Sequence, residues 1–261
     1  MNTFTLHQGS APLLISLPHD GEAIPESLLP RLTPGARAVP DTDWHVSRLY
    51  AFARELGASM LVPLHSRYVV DLNRPPDDVS LYPGQNTTGL CPVVRFSGEP
   101  VYLDGQEPTP AEIQSRVERY WRPYHEALAA ELARLRERHG RCVLWEGHSI
   151  RSEVPFLFEG RLPDFNLGTA GGRSCSAELR DRLVAILGAQ DAFSFVADGR
   201  FKGGYITRHY GRPHDGIEAV QLELAQLNYM DEASFRYDSE RAGPAQELLR
   251  RLLESALDST G

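Results

Sequence analysis

Short apolar runs bounded by proline or glycine alternate along this chain with longer stretches in which apolar residues recur every three or four positions. The first pattern predicts buried strands and the second amphipathic helices. Residues 13–18 (LLISLP) predict a central strand, with His19-Asp20-Gly21 turning the chain at its end. Prolines at 25, 30, 34 and 40 limit any helix there to a turn or two. A clearer helix is expected from Asp41-Thr42-Asp43-Trp44, where the aspartates occupy the capping region and Trp44, Leu49, Phe52, Ala53 and Leu56 share a face before Gly57. Residues 59–64 (SMLVPL) and 68–72 (YVVDL) predict strands.

From 75 to 110 the chain is rich in Pro, Gly, Asn and Asp and has no sustained period. A connection of that length is usually a lid or the wall of a site. Thr109-Pro110-Ala111-Glu112 is a capping-box start for a helix running towards Gly140, with Ile113, Val117, Tyr120, Tyr124, Leu128, Leu132 and Leu135 as a core-facing stripe and Pro123 as a kink. Residues 142–146 predict a buried strand broken at Gly147, which presents His148 and Ser149 at the strand's carboxyl end. After an irregular segment, 151–173, a helix is expected over 176–187, a strand over 193–197, and a further strand or arm over 205–210. A last core strand over 217–224 places Glu223 near its carboxyl end, and 246–257 predicts a closing amphipathic helix.

The 261 residues read as one α/β domain, 1–261, because no shift in composition marks a seam. No run approaches the roughly 18–20 apolar residues of a membrane span. Residues 1–11 carry neither a basic cluster nor an apolar stretch, so a cytoplasmic protein is expected. Cys91, Cys142 and Cys175 are odd in number and form no Cys-x-x-Cys pair, which argues for reduced thiols. A net charge of -8 disfavours nucleic acid and acidic membranes as partners, while a local arginine site could still hold a small anion. Nothing in the sequence specifies an oligomeric state.

Candidate chemistry gathers on the histidines. In α/β proteins ligands bind at the carboxyl edge of the sheet, and both His19 and His148 follow predicted strands, which suggests one shared metal. The glycine run at 168–172 lacks the Gly-Lys-Ser/Thr of a phosphate loop. No Gly-x-Ser-x-Gly elbow frames a nucleophilic serine, so Ser149 is read as support. His7, His125 and His139 are expected to be solvated, and His45 to support a ligand from behind.

Taken together, SLPHDG, DTDWHVSRLY, HSRYVVDLNRPP, LYPGQNTTGLCP, RYWRPYH, GHSIRS, LPDFNLGT, GRFKGGYITRHYG and VQLELA closely resemble the N-formylglutamate amidohydrolase (deformylase) family over residues 10–232. The family is similar in plan to zinc carboxypeptidases. The resemblance implies a three-layer α/β fold, a mixed, mostly parallel sheet with helices on both faces, zinc carboxypeptidase-like (phosphorylase/hydrolase-like). It implies hydrolysis of N-formyl-L-glutamate to formate and L-glutamate, in a route of histidine degradation, with a divalent metal, Zn2+, as cofactor.

For the metal, His19 and His148 are the implied histidine ligands. The third is either Glu22, by the His-x-x-Glu spacing of carboxypeptidases, or Asp43 in DTDW, which the resemblance favours; Asp41 is a further alternative. Glu223 is the implied general base. Arg74, in Asn73-Arg74, corresponds to the segment that grips a substrate α-carboxylate, and Arg67 and Arg208 are candidates for a second cation, with Lys202 and Tyr205 on the same wall. His65 lies near this segment but is not expected to be a ligand. Rival readings are a zinc amidohydrolase or carboxypeptidase for another N-acyl acidic amino acid or peptide, and a non-catalytic binder of acidic amino acids, which would need Arg74 but not Glu223.

Overall fold

The computed structural model describes residues 2–80, 84 and 86–260; Leu81-Tyr82-Pro83 and Gln85 of the LYPGQ segment lie outside the described residues. Seven strands form one sheet: β1 (Phe4–His7), β2 (Leu13–Ser16), β3 (Ser59–Pro63), β4 (Cys142–Ile150), β5 (Phe165–Gly168), β6 (Phe195–Ala197) and β7 (Ile217–Ala225), in the order β1-β3-β2-β4-β7-β5-β6. Pairings β2/β3, β2/β4, β4/β7 and β5/β6 are parallel, while β1/β3 and β5/β7 are antiparallel. This is the mixed, mostly parallel sheet the sequence predicts.

Among the described residues seven α-helices accompany it: α1 (Pro34–Arg37), α2 (Val46–Leu49), α3 (Pro110–Arg116), α4 (Arg122–His139), α5 (Ala177–Gly188), α6 (Tyr205–Tyr210) and α7 (Ser239–Asp258). Because side chains alternate along a strand, the central strands feed two cores. Leu13, Ile15, Val143, Trp145, Val220 and Leu222 face one way and pack with Leu49 of α2, Leu183 of α5 and Leu252 of α7. Leu14, Leu61, Leu144 and Ala219 face the other way, against Tyr124, Leu128, Leu132 and Leu135 of α4. Helices therefore cover both faces, giving three layers.

Several expectations are corrected. Residues 68–72 form no strand: Tyr68, Val69, Val70 and Leu72 are buried in a turning segment whose backbone bonds run from Val69 N to Ser66 O and from Asp71 N to Leu90 O. A continuous apolar run marks burial, and a buried loop shares that signature. Residues 205–210 are the helix α6 rather than a strand. The helix expected from Asp41 begins only at Val46, because Asp41 and Asp43 serve contacts elsewhere instead of capping it. Nor does the strand break at Gly147. β4 runs through it, and the glycine is required by close packing, since a Cβ there would meet Leu17 Cδ2 at 2.7 Å and the Tyr50 ring at 3.0 Å. Strand β5 lies within the segment read as irregular, and β1 carries no signal strong enough to be named.

In the long helical region the capping box at Thr109 and Glu112 forms as expected. A π-helical turn, Val117–Trp121, separates α3 from α4 just ahead of Pro123, whose missing N–H cannot continue the ladder.

Candidate active site

The face of the sheet that carries Leu14, Leu144 and Ala219 changes character along its length. Towards the carboxyl ends of the strands the same face presents Ser16, Glu146, His148, Gln221 and Glu223, all buried. Register aligns them: Ser16 pairs with Glu146, Glu146 with Gln221, and His148 with Glu223. Parallel neighbours point to the same face, so hydrophobic core gives way to a polar floor within two strands. The chain leaves β2 towards β3 on one side, and β4 lies on the other, so this floor sits at a topological switch point, where α/β sheets bind ligands.

His19, just beyond β2, reaches the same place, with its ring centroid 4.8 Å from that of His148. Asp43 is brought beside them by a segment bracketed by two left-handed residues, Val39 at φ 42° and His45 at φ 62°, and its N–H donates to His19 O. A branched residue such as Val39 adopts that conformation only under strain, which the packed surroundings must hold. Asp43 Oδ2 lies 2.9 Å from His148 Nδ1 and 3.7 Å from His19 Nδ1, and accepts from Ser149 N–H at 3.1 Å. One donor atom from each of His19, Asp43 and His148 lies within 4.8 Å of the others.

The far side of each ring is also occupied. His19 Nε2 lies 2.6 Å from Asp71 Oδ1, and His148 Nε2 lies 2.7 Å from Glu146 Oε1. An ionised carboxylate can only accept, so each Nε2 carries a proton; a cation held between the rings and Asp43 would take the Nδ1 lone pairs, and without it His148 Nδ1 donates to Asp43 Oδ2. Carboxylate–histidine pairs of this kind orient metal-ligating imidazoles. Two nitrogens and one oxygen, buried and converging, fit a divalent cation with positions left for water or substrate. Without one, burial disfavours charge on His148, but hydrogen bonds to Asp43 and Glu146 outweigh it and raise its pKa well above the ordinary value. Burial likewise pushes Asp43 up, and the two histidines more than reverse it.

Around this centre lies a cleft lined by Arg67, Arg74, Thr88, Phe96, Arg200 and Glu223, among others. Burial pushes the Glu223 carboxyl up to about 8, with the charges of Asp43 and Glu146 adding to the rise and His148 and Arg67 opposing it. Arg67 NH2 pairs with Asp71 Oδ2 at 2.6 Å, and its guanidinium lies 4.8 Å from the centre of the Phe96 ring. Arg74 Nε is 3.8 Å from the same carboxylate oxygen. The Nε atoms of both arginines and the hydroxyl of Thr88 are buried without a hydrogen-bond partner among the described residues.

The remaining wall is built from α6 and the residues before it. Asn73 Oδ1 accepts from Ile206 N–H, and its amide nitrogen lies 3.0 Å from His148 Nε2. Glu146 Oε2 accepts from both the N–H and the hydroxyl of Thr207. These two side chains cap α6 from outside, which explains why no local capping residue signals it.

The structure thus brings together His19, Asp43, Arg67, Asn73, Arg74, His148 and Glu223. Glu22 is exposed and outside the metal-competent group. Asp41 Oδ2 instead accepts from Tyr68 Oη at 2.7 Å and Phe96 N–H at 2.9 Å. Arg208 does not reach the cleft: it lines a separate hollow with Ala170, Arg173 and Ser174, and its Nε donates to Gly203 O. Lys202 is exposed, and Tyr205 packs near Trp121 and His125. His45 bonds to Phe235 O, His65 packs on Tyr120, and Ser149 holds Tyr229 Oη at 2.6 Å. His125 is buried, contrary to expectation.

Sequence reading did not single out Asp71, Glu146, Gln221, Thr88 or Arg200. Two of these had a usable signal: Glu146 stands two residues before His148 on one strand face, and Asp71 two before Asn73.

Fold and site together define an α/β protein with a buried, metal-competent centre at the floor of an arginine-lined cleft. The chain belongs to the N-formylglutamate amidohydrolase family, whose sequence profile matches residues 11–230. It is 51% identical over 254 residues to the N-formylglutamate deformylase of Pseudomonas putida, covering 97% of this chain and 95% of that one. It is 53% identical over 251 residues to the N-formylglutamate deformylase of Pseudomonas aeruginosa, covering 96% and 94%. The crystal structure of N-formylglutamate amidohydrolase from Ralstonia eutropha JMP134 superposes with a TM-score of 0.81 at 25% identity, covering 100% of this chain and 97% of that one. A gene product of Agrobacterium tumefaciens, 19% identical, shares the fold with a TM-score of 0.72 over 98% of this chain and 96% of that one.

Proposed function

We propose that this protein hydrolyses N-formyl-L-glutamate to formate and L-glutamate, as a cytoplasmic step of histidine degradation. The observation that carries the reading is the convergence of His19, Asp43 and His148 with Glu223 and two arginines in one cleft of a chain about half identical to named N-formylglutamate deformylases. His19, Asp43 and His148 would hold a divalent cation, proposed as zinc, which when bound supplies the Lewis acidity that makes water nucleophilic at neutral pH.

Glu223 takes a proton from the water as its oxygen bonds to the formyl carbon. Arg67, beside His19, faces the oxygen on which negative charge develops. The C–N bond then breaks, and Glu223 returns the proton to the leaving amine nitrogen, yielding formate and glutamate. Arg74 holds the substrate α-carboxylate, for which a guanidinium fork is suited. Burial, which raises Glu223 to about 8, favours handing the proton on to the leaving amine, and the charge of a bound cation would lower it so that the carboxylate can first accept that proton. Asp71 and Glu146 keep the histidine rings oriented throughout.

The test is formate release from N-formyl-L-glutamate, N-acetyl-L-glutamate, N-formyl-L-aspartate and an N-formyl dipeptide, with the protein stripped of metal and then reloaded with zinc. Turnover restricted to the N-formyl acidic substrates and restored by zinc is the expected result. Equal rates on N-formyl and N-acetyl glutamate would overturn the assignment.

A further inference from the structure

A dicarboxylic substrate needs cations at two separated places, and Arg67 and Arg74 both stand on one side of the cleft, sharing Asp71. A third arginine, Arg200 on the segment leading into α6, lines the same cleft. Its head group is held by two carbonyls from different parts of the chain: Nε donates to Leu157 O at 3.1 Å and NH2 to Asn86 O at 3.1 Å. The guanidinium also lies 5.4 Å from the centre of the Phe201 ring. A cation fixed in this way has lost its rotamer freedom before any ligand arrives, so little more is lost on binding. Leu157, Phe201 and Ile150 line the cleft as well and offer apolar surface to a short methylene chain.

Resting on the proposed function above, we infer that Arg200 is the specificity-determining residue that reads the side-chain carboxylate of the substrate, while Arg74 reads the α-carboxylate. Arg208, the sequence's candidate for this task, faces another hollow. The arrangement separates the two carboxylates along the cleft, with the scissile amide over the His19–Asp43–His148 floor and the aliphatic part of the side chain against Leu157 and Phe201. Arg200 plays no part in moving protons, so its effect falls on which substrate is accepted.

The experiment compares steady-state kinetics on N-formyl-L-glutamate and N-formyl-L-norvaline, which keeps the α-carboxylate and a similar aliphatic chain but lacks the second carboxylate. For Arg200→Gln, kcat/KM on N-formyl-L-glutamate should fall roughly 10- to 100-fold, through KM, as expected for losing a charge-assisted bond. The value on N-formyl-L-norvaline should stay within about twofold, so that the wild-type preference largely disappears. Arg200→Lys, which keeps the charge and most of the stem, should retain part of the preference. Arg208→Gln should keep all of it. A parallel fall on both substrates in Arg200→Gln and Arg200→Lys, or an unchanged preference in both, would overturn the role of Arg200 while leaving the deformylase reading intact. A wild-type enzyme with no activity on N-formyl-L-glutamate would overturn both.

Discussion

Asp71 Oδ1 stands 2.6 Å from His19 Nε2, and the second oxygen of the same carboxylate stands 2.6 Å from Arg67 NH2. One buried aspartate therefore fixes a histidine tautomer and a cleft arginine at once. Burial would push its pKa up, but His19 and Arg67 hold it well below the ordinary carboxylate range, so it stays ionised for both tasks. Asp71→Asn keeps the shape but removes the charge. Zinc affinity should fall roughly 10- to 100-fold, as for other partners of metal-ligating histidines. Competition with a chromophoric chelator measures this directly; an unchanged affinity would remove Asp71 from the support of the centre.

Glu223 has no hydrogen-bonding partner for its carboxylate among the described residues and faces His148 across the β4/β7 pairing. Glu223→Gln is nearly isosteric and cannot accept the proton. Turnover should drop about 100- to 10,000-fold, the usual worth of a positioned acid–base group. Substrate affinity, measured by calorimetry on the inactive variant, should change little, since Arg74 and Arg67 remain.

Gly147 sits in the middle of a strand, where any side chain would strike Leu17 and Tyr50, both fully buried. Gly147→Ala should cost about 1–3 kcal/mol through overpacking. Urea unfolding at fixed protein concentration reads the loss. A cost near zero would mean that Leu17 and Tyr50 give way freely.

His125 provides a pH dependence. Its Nε2 donates to Leu72 O at 2.8 Å, its Nδ1 lies 3.0 Å from Tyr210 Oη, and Trp121 stacks on its ring. Burial lowers its pKa from 6.5 to about 3, with the Leu72 carbonyl opposing and His209 adding to the shift. The unfolded chain takes up this proton near pH 6.5 and the folded chain does not. Stability from this group is therefore complete above pH 6.5 and is lost as pH falls towards 3, with a slope of up to about 1.4 kcal/mol per pH unit. His125→Gln should flatten the decline relative to wild type when unfolding is followed between pH 7 and pH 4.

What the sequence made legible follows from how local its signals are. β2, the core of β4, β7 and the long helical region announce themselves through unbroken or periodic apolar residues, and His19 and His148 inherit their positions from those strands. Asp43 was harder, because it competes with Glu22 until the chain is folded, and the deciding contact is between Asp43 N–H and His19 O, which no spacing reveals. Residues 68–72 read as a strand because their apolar residues are buried, yet they form no ladder. α6 was missed for the converse reason: its first N–H groups are met by Asn73 and Glu146, distant in sequence, so the local text carries no cap. Arg200 and Arg208 lie in one short stretch, GRFKGGYITRHYG, and the path of the chain takes one into the cleft and the other into a separate hollow.

That remote capping bears on how substrate enters. Tyr205 N, Ile206 N and Thr207 N donate to Asn73 O, Asn73 Oδ1 and Glu146 Oε2, all three acceptors belonging to the innermost part of the protein. Swinging the wall that follows Arg200 away from the sheet would break these bonds together, at about 0.5–1.5 kcal/mol each and more where a charge is involved. This wall is therefore a fixed jamb rather than a door.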